Sequence, residues 1–347
     1  MNSVNPTQFL ALRGSVPLLD VRSPAEFVHA HIPGSISFPL FDNEERAIVG
    51  TTYTQKSKTD AVLVGLRLVG PRLADMAGTA LRLATEVNPD NRRVAVTCWR
   101  GGMRSSSLAW LLEQVGLQAV TLHGGYKAYR RHVQDVCAAS RPILVLGGMT
   151  GAGKTEVLQE LALLGSQTVD LEGLAKHRGS AFGSVQGVEQ PSTEHFENVL
   201  ADCLMALEPS RPIWLEDESQ NLGKVNIPKP FFTRLRAASV IRLDVPRTDR
   251  TERIVRGYDP AHNDFAAEGI ERIRKRLGDQ NCRAALEALA AGDYTLVTNI
   301  LLDYYDRAYT KQLVGRQSVA RTLLAEPGES PASLAQKLHD WEAVLAC

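Results

Sequence analysis

Apolar residues fall along the chain in two recurring patterns. Short uninterrupted runs alternate with longer stretches of helical spacing. Pro17–Arg22 reads as a short buried strand, and Pro24 is placed to open a helix at its first turn. His31–Ile36 is turn chemistry leading back into a strand, and Ala61–Leu83 carries helical spacing. Arg93–Thr97 predicts a buried strand, Ser105–Val115 a helix ended by Gly116, and Ala119–Leu122 a strand that turns at His123-Gly124-Gly125 into a further helix. After Ser140-Arg141-Pro142 the alternation restarts. Ile143–Gly147 is a strand, Glu156–Leu164 a helix, and Ile213–Leu215 and Val240–Leu243 are strands, while the last hundred residues look mainly helical. Strands alternating with helices predict parallel α/β sheets, here in two domains divided near residues 137–141.

Length agrees with two domains, since 347 residues is about twice a typical one. No apolar run approaches a membrane span, and the first residues lack the features of a secretory signal, so a cytoplasmic protein is expected, with no membrane partner. The 39 basic and 39 acidic residues cancel, but unevenly. Residues 1–140 sum to +4, 141–228 to −6, and 229–283 to +5. The last block runs from Arg234 to Arg256 and on to Arg272, Arg274 and Arg276, a stripe that suits either a phosphate backbone or a solvated helix face with intervening acids. The five cysteines show neither CxxC pairs nor Cys/His spacing, so no disulfide framework or structural metal is expected.

Three segments carry chemistry. Gly148-Met-Thr-Gly151-Ala-Gly153-Lys154-Thr155 matches G-x-x-x-x-G-K-S/T between a strand and a helix. In a P-loop of this kind the glycines Gly148, Gly151 and Gly153 let amides converge on phosphate oxygens, Lys154 adds a mobile charge and Thr155 reaches a magnesium ion. The ligand is a phosphorylated group, not necessarily ATP. Glu216-Asp217-Glu218 ends the next buried strand, where Glu216 or Asp217 would serve magnesium or pyrophosphate; a solvated acidic turn is the alternative. Cys98 ends a parallel strand in a Gly-Gly loop that enters a helix, where amides, Arg100 and Arg104 would favour the thiolate. A buried structural cysteine is the alternative there.

Leu19–Arg22, Glu26-Phe27, His29–Gly34, the Cys98 loop and His123–Tyr126 together resemble a rhodanese domain, over about residues 12–136. A rhodanese-like domain followed by a P-loop domain with a helical C-terminal extension (141–330) resembles the bacterial tRNA 2-selenouridine synthase family. Glu172–Gly183, Glu216–Ser219 and Asp303–Asp306 match it further. The resemblance implies a tRNA-modifying transferase acting on wobble 2-thiouridine in an anticodon stem-loop. The sulfur would be geranylated from geranyl diphosphate, and selenium from selenophosphate would then replace the geranylthio group. Cys98 would carry selenium as an S-selanyl intermediate; magnesium would assist, ATP would not be required, and no obligate protein partner is implied. Arg272, Arg274 and Arg276 are candidates for tRNA phosphates. One feature cuts across the rhodanese label: Cys98 to Arg104 is C-x5-R, a longer loop shared with thiolate phosphatases. The alternative is therefore such a phosphatase, or a small-molecule sulfurtransferase, fused to a nucleotide kinase. A non-enzymatic nucleotide-gated binding module is a third reading, disfavoured by the intact Cys98 loop.

Overall fold

The computed structural model describes residues 2–90, 92–177, 189–314 and 319–345. The chain separates into two compact units, Met1–Val136 with Glu194–Asp202, and Cys137–Thr193 with Cys203–Cys347.

The first unit is built from β1 (Asn2–Val4), α1 (Pro6–Leu10), β2 (Leu18–Asp20), α2 (Pro24–His29), β3 (Ile36–Ser37), α3 (Asn43–Gln55), α4 (Lys58–Val69), α5 (Leu73–Val87), β4 (Arg93–Thr97), α6 (Met103–Gln114), β5 (Gln118–Leu122) and α7 (Gly125–Ala138). Its five strands are all parallel, in the order β1-β5-β4-β2-β3. Val94, Ala95 and Val96 of the central strand are fully buried, as expected of a parallel strand with both faces covered. Leu108, Ala109 and Leu112 of α6 and Ala80 and Ala84 of α5 close over the sheet. The stretch Ala61–Leu83 is two helices rather than one. Pro71, within a 3-10 turn at Gly70–Arg72, lacks the N–H a continuous helix needs. Strand β1 lies outside the apolar runs because Asn2 and Ser3 are exposed and only its backbone pairs with β5.

The second unit begins with β6 (Ile143–Gly148), α8 (Lys154–Leu163), β7 (Gln167–Val169) and α9 (Leu171–Ala175). Helix α10 (Thr193–Met205) supplies Glu194–Asp202 to the first unit. Then come β8 (Ile213–Glu216), a two-stranded hairpin of β9 (Asn221–Leu222) and β10 (Val225–Asn226), α11 (Lys229–Ala237), β11 (Ser239–Asp244), α12 (Arg247–Arg256), α13 (Asn263–Arg272), α14 (Arg274–Leu277), α15 (Asp279–Ala290), α16 (Tyr294–Val314), β12 (Val319–Leu324) and α17 (Pro331–Leu345). The sheet order is β12-β11-β6-β8-β7, all parallel. The chain reverses its winding at β6, and a crevice opens at such a strand's carboxyl end. Trp214 is fully buried beneath α8 and α17, while α13, α15 and α16 enclose a separate helical core around Ile270, Cys282 and Ala285. The C-terminal part is thus mainly helical, but β12 completes the sheet beside β11. No helix among the described residues is long and apolar enough to cross a membrane.

Candidate active-site loops

In the first unit the Cys98 loop leaves the carboxyl end of β4 and enters α6. It is closed by backbone. A side chain on Gly125 would stand 2.3 Å from the Cys98 carbonyl oxygen and the Gly101 nitrogen; one on Gly101 would stand 2.7 Å from the Leu122 oxygen. Both glycines have positive φ, 60° and 64°. Only residues without Cβ let the two turns interlock this closely. The Tyr126 amide donates to the Cys98 carbonyl at 2.8 Å and the Lys127 amide to the Trp99 carbonyl at 3.0 Å.

Cys98 is 3% exposed, its Sγ lying 3.1 Å from the Ser105 hydroxyl. That hydroxyl also donates to the Gly102 carbonyl at 3.1 Å. With the thiol protonated, S–H donates to Ser105; once it ionises, the single Ser105 proton can turn to the sulfur. Ser105, in the first turn of α6, ends the Cys98–Ser105 run that resembles the family, but the sequence alone assigns it no role. Arg104 donates to Glu26 at 3.1 Å, so its charge is shared with a carboxylate rather than given to the thiol alone. Glu26 also accepts the Ser23 amide as a helix cap at 3.0 Å. Burial pushes its carboxyl up, but the Ser23 amide, Arg104 and Arg46 outweigh that and hold it below its usual value. Arg100 is exposed.

In the second unit the P-loop joins β6 to α8, with φ of 155°, 81° and 80° at Gly148, Gly151 and Gly153. Here the closure comes from side chains. The Gly148 amide donates to Tyr309 Oη at 2.7 Å, and Lys154 Nζ donates to the Gly148 carbonyl at 3.2 Å. Arg250 donates to the Thr150 carbonyl at 3.0 Å while gripping Asp306 with two bonds of 2.9 and 2.8 Å. Arg253 donates to the Gly151 carbonyl at 2.8 Å and pairs with Glu156 at 3.1 Å. Asp306 and Tyr309 stand three residues apart on α16, one face of a helix. Asp303, at the same spacing, pairs with Arg247 at 2.6 Å. The Asp303–Asp306 segment therefore holds α12 and the loop.

Thr155 donates to Glu216 at 2.7 Å. Glu172, Glu216 and Glu218 bring carboxylate oxygens within 4.8 Å of one another. Asp217 does not join them, which corrects its assignment to this acidic site: its side chain is buried 3.7 Å from Arg236. Side chains alternate faces along an extended strand, so Glu216 and Glu218 share a face and Asp217 takes the other. That alternation was available in the sequence; so was the run that Glu172 opens, but not its meeting with Glu216 and Glu218. Burial, then Glu172 and Asp170, push Glu216 up to about 7 against the pull of Lys154 and the Thr155 hydrogen bond. Burial, followed by the charges of Glu172 and Glu216, holds Glu218 well above the usual range. Such a set of hard oxygen donors beside a P-loop threonine fits magnesium. The neighbouring run from Arg178 to Gly183 lies outside the described residues.

Of the two readings of the basic stripe, pairing with intervening acids describes most of its Arg234–Arg253 part. Arg234 donates to the Cys137 and Ala138 carbonyls, and Arg236, Arg242, Arg247, Arg250 and Arg253 all pair with carboxylates. Arg274 is held by Glu271 at 2.6 Å and Asp279 at 3.2 Å. Arg272 and Arg276 are exposed, the former 5.7 Å from the Phe265 ring centroid.

Comparison with known proteins matches residues 5–132 to the rhodanese-like domain and residues 141–330 to the tRNA 2-selenouridine synthase AAA domain. The tRNA 2-selenouridine synthase of Chromohalobacter salexigens is 33% identical over 95% of this chain and 95% of its own length. That of Cupriavidus pinatubonensis is 39% identical over 79% of this chain and 74% of its own, and that of Shewanella denitrificans 33% over 87% and 89%.

Proposed function

Because the chain belongs to the tRNA 2-selenouridine synthase family, enzymes that act on tRNA, we propose that its two loops divide one modification into two steps. The observation that carries this reading is the pairing, on one chain, of a P-loop with an acidic cluster and a buried thiol in a glycine-closed loop. In the first step the sulfur of wobble 2-thiouridine attacks C1 of geranyl diphosphate. The C1–O bond breaks, pyrophosphate leaves with the electron pair, and N3 of the base loses its proton. Lys154 and the amides of Gly151, Gly153 and Thr155 oppose the charge growing on the departing oxygen. Thr155, Glu216 and Glu218 would hold magnesium, which supplies further charge neutralisation for pyrophosphate. Nothing in this step uses ATP.

In the second step selenium from selenophosphate replaces the geranylthio group. The C2–S bond breaks, a C2–Se bond forms, and geranylthiol and, with water, phosphate are released; the net exchange is redox-neutral. The Cys98 thiolate takes the phosphoryl group of selenophosphate, so that an S–P bond forms, the P–Se bond breaks and selenide leaves to attack C2. Water then frees phosphate from Cys98, and Arg100 and Arg104 attract the anionic donor. Exposed Arg272 and Arg276 meet tRNA phosphates. The phosphatase–kinase alternative gives way to the family assignment.

Mass spectrometry of nucleosides from 2-thiouridine tRNA tests the division. Cys98→Ser should accumulate S-geranyl-2-thiouridine without 2-selenouridine, and Lys154→Ala should lose geranylation first. A folded Cys98→Ser protein unable to geranylate would refute it.

A further inference from the structure

Trp99 follows Cys98 directly and is 36% exposed, whereas Trp214 in the other sheet is fully buried. What sets Trp99 apart from the more exposed Trp110 (57%) is that its inner side is braced beside the Cys98 loop. The Tyr126 ring lies 5.7 Å away at 34°, and the Arg22 guanidinium sits 3.7 Å from the centre of that Tyr126 ring. Arg22 is itself fixed by Asp20 and by the Ala30 carbonyl at 2.8 Å. The Tyr126 hydroxyl donates to Glu194 at 2.8 Å and accepts from Asn198 at 2.9 Å. The carbonyls of Cys98 and Trp99 accept from α7 amides, which ties the loop backbone to that helix. Asp20, Arg22, Tyr126 and Trp99 thus form a continuous row of contacts whose last member faces solvent.

Three exposed cations lie on the same two segments: Arg100 follows Trp99 in the loop, and Lys127, whose amide donates to the Trp99 carbonyl, and Arg131 are on α7. Arg131 Nη2 lies 3.8 Å from where a side chain on Gly124 would begin, over the turn that locks the Cys98 loop. Aromatic faces interleaved with cations suit an unstacked base on a phosphate backbone. We propose that the outer face of Trp99 is the platform on which the target nucleobase of single-stranded RNA stacks while its C2 is presented to Cys98. This deepens the reading above and rests on it for the identity of the base. A base drawn from the anticodon loop loses its stacked neighbour, and an indole already braced on its inner side restores that stacking. Because every base offers a π-face, Trp99 sets position and leaves identity to other groups.

The test uses an anticodon stem-loop RNA already carrying S-geranyl-2-thiouridine, so that selenium transfer is read independently of the P-loop. Trp99→Ala and Trp99→Leu should lower kcat/KM roughly tenfold or more, chiefly through KM, which is the range expected for removal of one base–aromatic stack. Trp99→Phe and Trp99→Tyr should recover most of it. Tryptophan fluorescence should be quenched by this RNA, less by the same RNA abasic at the wobble position, and by neither in Trp99→Phe. If Trp99→Leu matches Trp99→Phe, an apolar contact and not a stack is at work and the proposal falls. Equal quenching by the abasic RNA also overturns it. A wild-type protein that shows base-dependent quenching but makes no selenouridine would keep the platform and refute the reaction. A wild type that makes selenouridine with Trp99→Ala unimpaired would do the reverse.

Discussion

The Cys98 loop and the P-loop both spring from a central parallel strand and enter a helix, yet they are closed by different means. Around Cys98 glycine backbones interlock, with Gly125 against the Cys98 carbonyl and Gly101 against Leu122. Cations are not needed for closure, and Arg100, Lys127 and Arg131 stay at the surface. Around Lys154 the loop carbonyls are held by Arg250 and Arg253 and the first amide by Tyr309. There most arginines of the basic block are engaged inside the unit, and the helical C-terminal part belongs to the site. What closes a loop thus decides which charges remain for a ligand.

The comparison breaks most directly at Gly125. Gly125→Ala should destabilise the first unit by about 3 kcal/mol or more, from left-handed strain plus a collision that backbone cannot relieve. Gly116→Ala, with φ of 85° and nothing within 4 Å, should show only the strain. Its cost is about 1 kcal/mol. Urea unfolding of the two variants reads the difference; equal destabilisation would mean the interlock contributes nothing.

The acidic cluster gives an effect of similar kind in the other unit. Glu216 titrates at about 7 in the folded protein against an ordinary value of 4.5, so between those values the folded state binds more protons than the unfolded one. The contribution of Glu216 to stability should therefore be most favourable below about pH 4.5, fall as pH rises through about 7, and level off, by on the order of 3 kcal/mol. In EDTA, Glu216→Gln should flatten that decline and be the more stable protein above pH 7. Superimposable stability profiles would show that the carboxyl is not raised.

The smallest effect concerns the surface. Arg272→Ala with Arg276→Ala should weaken cognate and non-cognate tRNA alike and lower the slope of log affinity against log salt by about one for each phosphate no longer neutralised. Arg274→Ala, removing a side chain already paired with Glu271 and Asp279, should leave the slope unchanged. A slope that responds only to Arg274 would reverse the assignment.

Much of this arrangement is legible in the chain. Arg93–Thr97 and Ile143–Gly147 read as buried strands, and both loops announce themselves through glycine. The break at Pro71 was equally readable. Strands β1 and β12 were not, because Asn2-Ser3 and Arg321-Thr322 carry no apolar pattern and join their sheets through backbone pairing. Ser105, Glu172 and Arg250 lie in runs the sequence marks, yet their partners, like that of Tyr309, stayed hidden for another reason: nothing near them in sequence names those partners.

The sequence by itself determined the alternation of strand and helix, the two glycine loops and the side chains each one displays, because these depend on local periodicity and on which residues tolerate positive φ. Tertiary structure alone decided that Glu194–Asp202 packs with the first unit, that Glu172 joins Glu216 and Glu218 while Asp217 turns to Arg236, and which arginines remain exposed. A local pattern fixes how a side chain leaves its own backbone. Its charge partner is set by which distant element packs against it, and only the folded chain contains that information.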